Sequence, residues 1–376
     1  MKNGIDVKII PNGCYNNNLK KINKLKLKYM KKNYLFVLTF IFSLLAYSGY
    51  AQSFDNGVFI LNEGMFGTNT ASVSFLNDSG TLENDIFVTQ NSGQDIGQLG
   101  QGMGFDGDNA YIIGSGSNEI NVVDRVTFTH IVTVTTDINN PRYIAFDNGF
   151  GYITNWGDPA VTTDDYVAVM DLSTNTVVNT IPVIEGPEKI IKKNNQLFVA
   201  HKGGYNVNNV ISVINTLDSS LETITVNDAP DELFIDNQGH LTVLSSGVNQ
   251  YWLTPPVETL ASITRIDLND NSIISNIEFP EGQHPGLMTC NDGNTYYILN
   301  NGLYSLSDTE TSLPTTTLFD ITATSAYGMA VNNNLLYVTD AGNFSGNSTL
   351  KVYDLSSGSE TNSFDVGVIA SKVYFN

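Results

Sequence analysis

The chain is 376 residues long, with 18 Lys plus Arg against 38 Asp plus Glu and a hydrophobic fraction of 41%. Nine of the basic residues fall in residues 1–32, so residues 52–376 carry 9 basic and 37 acidic groups, a formal net charge of −28. That balance argues against nucleic acid or anionic lipid as partner, since either needs a basic footprint, while the apolar fraction is enough for a sizeable core.

Met30-Lys31-Lys32 opens a short basic region, Tyr34 to Ala46 is an apolar run, and Gly49-Tyr50-Ala51 supplies small residues before Gln52. Residues 30–51 are therefore expected to be a Sec-type signal peptide cleaved after Ala51, the run being too short to span a bilayer. Residues 1–29 precede a signal that starts with its own Met, and read as a mis-called upstream extension or a long basic leader. Gln52, not Cys, stands directly after the junction, so no lipid anchor is expected. The destination is then the periplasm, the cell surface or the medium, without direct membrane insertion. Cys290 is left alone in residues 52–376, which excludes an intramolecular disulfide there, and its apolar setting "GLMTC" reads as an inert thiol.

From residue 100 onward the chain repeats. "PRYIAFD" at Pro141 has counterparts at Pro187, Pro230 and Pro285, with looser copies at Gly100, Ala326 and Ala370. The anchors are 41, 46, 43, 55, 41 and 44 residues apart, and the fourth position is always apolar: Met103, Ile144, Ile190, Leu233, Met288, Met329 and Val373. Each anchor is followed by a turn and further β-rich runs, with Asn, Asp and Gly in the gaps and no helical period after residue 52. Four short strands per ~40–45 residues predict β-propeller blades. Residues 57–62, 70–76 and 82–88 match the second, third and fourth strands of a blade that lacks its first, and "ASKVYFN" at 370–376 is a first strand without a blade. Joined, they complete a seventh blade and close the ring. The expectation is an all-β, seven-bladed propeller over residues 52–376, four antiparallel strands per blade.

The unit at residues 141–183, with "YITN" and "VAVMDLSTNTVVNTIPV", resembles the surface-layer-like, YncE-type seven-bladed propellers. The opening "GVFILNEGMFGTNTASVSFLN" at residues 57–77 is similar to the start of secreted propellers of Bacteroidetes labelled cell-surface or DUF5074-like. Members of that wider group capture cobalamin at the cell surface and pass it to a TonB-dependent outer-membrane receptor. The resemblance thus implies a corrinoid ligand, with no covalently bound cofactor, and such a receptor as partner. The cobalamin-capture proteins are typically lipoproteins, whereas this chain has Ala51-Gln52 where the lipobox Cys would stand.

Residue chemistry points to binding before catalysis. His130, His201, His240 and His284 fall in different repeats without HxH or HExxH spacing, so no metal centre is expected. Asp106-Gly107-Asp108 lacks the downstream Glu of a calcium loop and reads as a hairpin turn. No G-x-S-x-G elbow occurs, and the glycines of "GQLGQGMGFDG" precede no helix.

The second-to-third loops, by contrast, are long and aromatic, carrying Phe66, Trp156, Tyr205, Tyr251, Trp252 and Phe344, while the loops of the opposite face read as short Asn, Asp and Gly turns. His201 and His284 are placed by the blade order in loops of the same face. The second residue of each first strand should ring the central opening there: Gln101, Arg142, Glu188, Asp231, Gly286, Tyr327 and Ser371. Arg142 is either an anchor for an anionic group or the ion-pair partner of Glu188 or Asp231. The candidate ligand-binding set is Phe66, Arg142, Trp156, His201, Tyr205, Tyr251, Trp252, Tyr327 and Phe344. A cell-surface scaffold for protein or glycan is the alternative use of that face, and a propeller lyase or oxidase is the least supported.

Overall fold

The computed structural model describes residues 20–32 and 53–376. The apolar run at 34–46 and the Ala51-Gln52 junction, on which the signal-peptide reading rests, lie outside the described residues. Residues 20–32 form a helix whose side chains are exposed. No helix among the described residues is long and apolar enough to cross a membrane.

Residues 54–376 form one compact unit of seven four-stranded antiparallel sheets. Blades are numbered here from the amino terminus. Their innermost strands are Ala370–Phe375, Gly100–Asp106, Pro141–Asp147, Pro187–Lys193, Pro230–Ile235, Leu287–Asn291 and Ala326–Asn332 for blades 1 to 7. Blade 1 takes its inner strand from the carboxyl terminus, pairing antiparallel with Gly57–Asn62 in the register Ile60↔Val373. This joins the first and last strands of the propeller and leaves no open edge in the ring.

The second strands are rich in apolar residues because both of their faces are largely buried. In Asn109–Gly114, Ala110 and Ile112 point into the cluster shared with blade 1, and Tyr111 and Ile113 into the cluster shared with blade 3. Seven such clusters occur, one in each gap between adjacent blades. The gap between blades 1 and 2 is the most aromatic, with Phe59 packed on Phe75, Phe105 and Phe128. Outermost strands such as Thr176–Pro182 face water and keep only single residues, here Ile181, buried.

Two expectations need correction. The fourth strand of blade 1 is only Leu82–Glu83, and residues 86–90 are a short helix. Asp85, at φ 54°, turns the chain so that Ile86 and Phe87 drop into the aromatic gap instead of extending along the sheet edge. On the face opposite the long loops, the turns are not all short. Blade 6 carries residues 308–318 there, and Arg265 of blade 5 holds that segment by donating to the carbonyls of Ser307, at 2.9 Å, and Glu310.

Candidate functional site: the loop face and the mouth of the central channel

Backbone hydrogen bonds fix which connections share a face. In six blades the residue that follows the second strand donates its N–H to the carbonyl just before the inner strand: Glu63 to Ile369, Ser115 to Leu99, Trp156 to Asn140, Lys202 to Gly186, Ser246 to Ala229 and Ala341 to Ser325. The second-to-third loops and the blade-to-blade connections therefore lie together. In blade 6 the loop is a two-residue turn, Asn300-Asn301, between the long loops of blades 5 and 7, so the loop wall has a gap there.

Below the loops the channel opens as a cavity of about 580 Å³. All seven second-position residues line it: Gln101, Arg142, Glu188, Asp231, Gly286, Tyr327 and Ser371. The device that aims them there is a β-bulge. The register of the inner strand slips at or beside the second position in blades 1, 2, 3, 4, 5 and 7. In blade 5, for example, Pro230 faces Ser245 and Glu232 faces Leu244, which leaves Asp231 as the extra residue. A bulge inserts one unpaired residue and re-aims its side chain. Side chains of the third position then also reach the channel, so Tyr143, Glu232, Leu287 and Lys372 line the same cavity.

The lining is charged on both signs and stitched across blades. Arg142 donates from Nη2 to Glu188 Oε1 at 3.0 Å and from Nε to Oε2 at 3.2 Å, and from Nη1 to Ser115 Oγ of blade 2 at 3.3 Å. Lys202 reaches Asp231 at 2.7 Å, and Lys189 pairs with Glu232. Between the adjacent blades 7 and 1, the Tyr327 hydroxyl donates to Glu63 Oε2 at 3.0 Å. Burial pushes the Glu63 and Glu188 carboxyls above their usual range, against the Tyr327 hydrogen bond and the Arg142 charge respectively. Asp231 behaves oppositely: burial works against its charge, yet Lys202 and then Lys189 hold it at about 2. Four of the nine basic residues after residue 52 thus sit at the channel of an otherwise acidic protein.

The candidate residues divide into three groups. Phe66, Tyr205 and Trp252 are the most open, at 87%, 79% and 76% exposure, and Tyr251 and Phe344 are also exposed. Trp156 is half-buried: its Nε1 donates to the Pro187 carbonyl at 3.1 Å, and the Arg142 guanidinium lies 4.0 Å over its ring. Phe344 meets the second-position residue Tyr327 edge-on at 5.1 Å, and Tyr205 meets Trp156 edge-on at 6.2 Å and through it the second-position Arg142.

His201 stands apart. It is the last residue of the strand Gln196–His201, not a loop residue, and is fully buried. Its Nε2 meets Ser212 Oγ at 2.8 Å, and burial pulls its pKa down to about 4. It braces blade 4 and offers nothing to the open face. His284 also has a bracing role, with Nδ1 on the Ser246 carbonyl at 2.8 Å and Nε2 on Glu258 Oε1 at 3.2 Å, which pins the long loop bearing Tyr251 and Trp252. Arg142 is bound to Glu188, the ion-pair alternative of the two. Cys290 is half-buried against Thr295, and burial pushes its thiol up to about 12. Sequence reasoning missed Glu63, Lys189, Lys202, Glu232 and Lys372.

Fold and channel together define a seven-bladed β-propeller with a charged funnel beneath a wall of long loops. Residues 56–243 match the family described as a domain of unknown function, DUF5074, and the chain belongs to that family. Two solved structures are similar to it. One is the crystal structure of the computationally designed Ika8 protein, with 12% identity and a TM-score of 0.55 over 86% of this chain and 91% of that one. The other is the dihydro-heme d1 dehydrogenase NirN in complex with DHE, with 12% identity and a TM-score of 0.52 over 85% of this chain and 75% of that one. At that identity the likeness establishes the fold alone. No curated protein matches the chain.

Proposed function

We propose that the protein is an exported binding propeller that captures a large, polar, ring-shaped cofactor, a corrinoid, on its loop face and presents it to a TonB-dependent outer-membrane receptor. The observation that carries the reading is the set of five exposed aromatic side chains, Phe66, Tyr205, Tyr251, Trp252 and Phe344, on loops around the mouth of a 580 Å³ charged cavity. Rings on loop tips supply contact area at low entropic cost, and apolar area of this kind left in water marks a binding surface. A corrinoid offers a broad macrocycle for the rings and many amide groups for side chains such as Gln101, Asn300 and Asn301 at the mouth. The likeness of residues 57–77 to secreted DUF5074-like propellers, a wider group with cobalamin-capturing members, supports the same ligand class, and export follows from the amino-terminal signal reading. The role is one of binding without catalysis, since the mouth offers rings and amides, and its Arg142 and Lys202 charges are held by Glu188 and Asp231.

The test is direct. Purified protein mixed with cyanocobalamin at micromolar concentration is passed over a gel-filtration column and followed by the corrinoid's visible absorbance. Co-elution is expected, and its absence overturns the corrinoid reading.

A second reading has its own observation. Val161, Val207, Leu253 and Val257, also on these loops, are exposed as well. They extend the apolar surface beyond the mouth, which fits a protein partner. A scaffold that binds protein or glycan would leave cyanocobalamin unbound and retain the loop face as its contact.

A further inference from the structure

Beneath the charged funnel the channel continues as a second cavity of about 420 Å³, along the parts of the inner strands away from the loop face. Its character is different. Met103, Phe234, Met288, Met329, Val331 and Phe375 are among its lining. The third-position residues Tyr143, Glu232, Leu287 and Lys372 line both cavities and so stand at the junction between them.

Charge at that junction is unbalanced. The charged side chains of the lower cavity are Lys189, Glu232 and Lys372. Lys189 and Glu232 pair with each other. In the funnel, Arg142 and Lys202 are likewise satisfied by Glu188 and Asp231. Among the described residues Lys372 is the one basic side chain of the channel without an ion pair. The groups whose charges reach it are Lys189, which repels it, and Glu232, Asp231 and Glu63, which attract it from beyond contact distance. An ammonium withdrawn from bulk water and lacking a counter-ion is costly, and a carboxylate beside it is the strongest complement.

We propose that the lower half of the channel is a second binding site, for a single-chain aliphatic carboxylate whose head group pairs with the Lys372 ammonium and whose chain lies among the methionines and Phe234 below. An apolar well with one oriented polar group at its end is the usual form of a small-ligand site, and methionines adapt to chains of different length. The site is independent of the loop face, so Trp252→Ala leaves it intact.

The experiment is isothermal titration of the full chain with octanoate, decanoate and dodecanoate, with decanol as the uncharged control. One decanoate per chain is expected, tightening about fourfold per added methylene until the well is full. Lys372→Met is expected to weaken decanoate by about tenfold or more while leaving decanol unchanged, and Lys372→Arg to retain most of the affinity. Because Lys372→Met removes an uncompensated charge, it should melt no lower than the parent. Should it fail to fold, Met329→Trp fills the well with Lys372 in place and must abolish decanoate binding. Absence of saturable carboxylate binding, equal affinity for decanol and decanoate, undiminished decanoate binding by Lys372→Met, or binding retained in Met329→Trp would each overturn the proposal.

Discussion

The guanidinium of Arg142 lies 4.0 Å over the indole ring of Trp156, while the edge of the same guanidinium grips Glu188 of the next blade. A loop aromatic is thereby tied to an inter-blade ion pair, and the two Trp residues of the chain acquire opposite roles. Trp156 is a brace at the mouth, whereas Trp252 is a loop tip with 76% of its surface open.

Their alanine variants should differ accordingly. Trp156→Ala removes the ring under Arg142 and the hydrogen bond to Pro187, and is expected to lower stability by about 1–3 kcal/mol. Trp252→Ala should stay within about 0.5 kcal/mol of the parent. Denaturant unfolding of the two variants side by side checks this. Equal stabilities would remove Trp156 from the bracing role.

Glu188 is expected to matter more to stability than any exposed acid. Its side chain is 5% exposed and that of Arg142 15%. Glu188→Gln leaves the guanidinium with a neutral partner, and breaking a buried pair from one side costs about 3–5 kcal/mol. Replacing both residues together, as Arg142→Met with Glu188→Met, should recover a large part of that loss. A double-mutant cycle by chemical denaturation measures the difference, and strictly additive losses would contradict the coupling.

Two buried groups give opposite pH dependences. His201 titrates near 6.5 when unfolded and near 4 when folded, so between these values the unfolded chain holds more protons. Its contribution to stability is present above about pH 6.5 and lost as pH falls towards 4, on the order of 3 kcal/mol in all. Asp165 has the other sign. Burial raises its carboxyl from 3.8 to about 6, so the folded chain holds more protons in that window and stability falls as pH rises through it. His201→Gln should make the protein less sensitive to acid, and Asp165→Asn more sensitive. Unfolding midpoints measured across that pH range decide both signs.

Much of this was legible in the sequence. The ring of second-position residues could be read from the repeat because Pro141, Pro187, Pro230 and Pro285 mark the register of their blades. The apolar fourth position, buried in five blades and partly so at Met329 and Val373, follows from the same register. The third position was not legible. In a regular strand Lys189, Glu232 and Lys372 would point away from their second-position neighbours, and the bulge that brings both to the channel leaves no mark on residue type. His201 was misplaced for a related reason. A polar residue at the end of "LFVAH" looks like the start of a loop, yet the strand runs one residue further, and Ser212 satisfies the ring inside the sheet. Helix 86–90 escaped because its five residues are too few to show a period.

The most direct test of capture on the loop face is titration of cyanocobalamin into the parent protein and into Trp252→Ala, Tyr205→Ala and their double variant, followed by the corrinoid's visible absorbance. Binding of one corrinoid by the parent is expected, with a loss of about 2 kcal/mol or more, roughly thirtyfold in Kd, at a ring that stacks on the ligand. The melting temperature of Trp252→Ala should be unchanged. Unaltered affinity in the double variant, or no binding by a folded parent at micromolar concentration, would contradict the account.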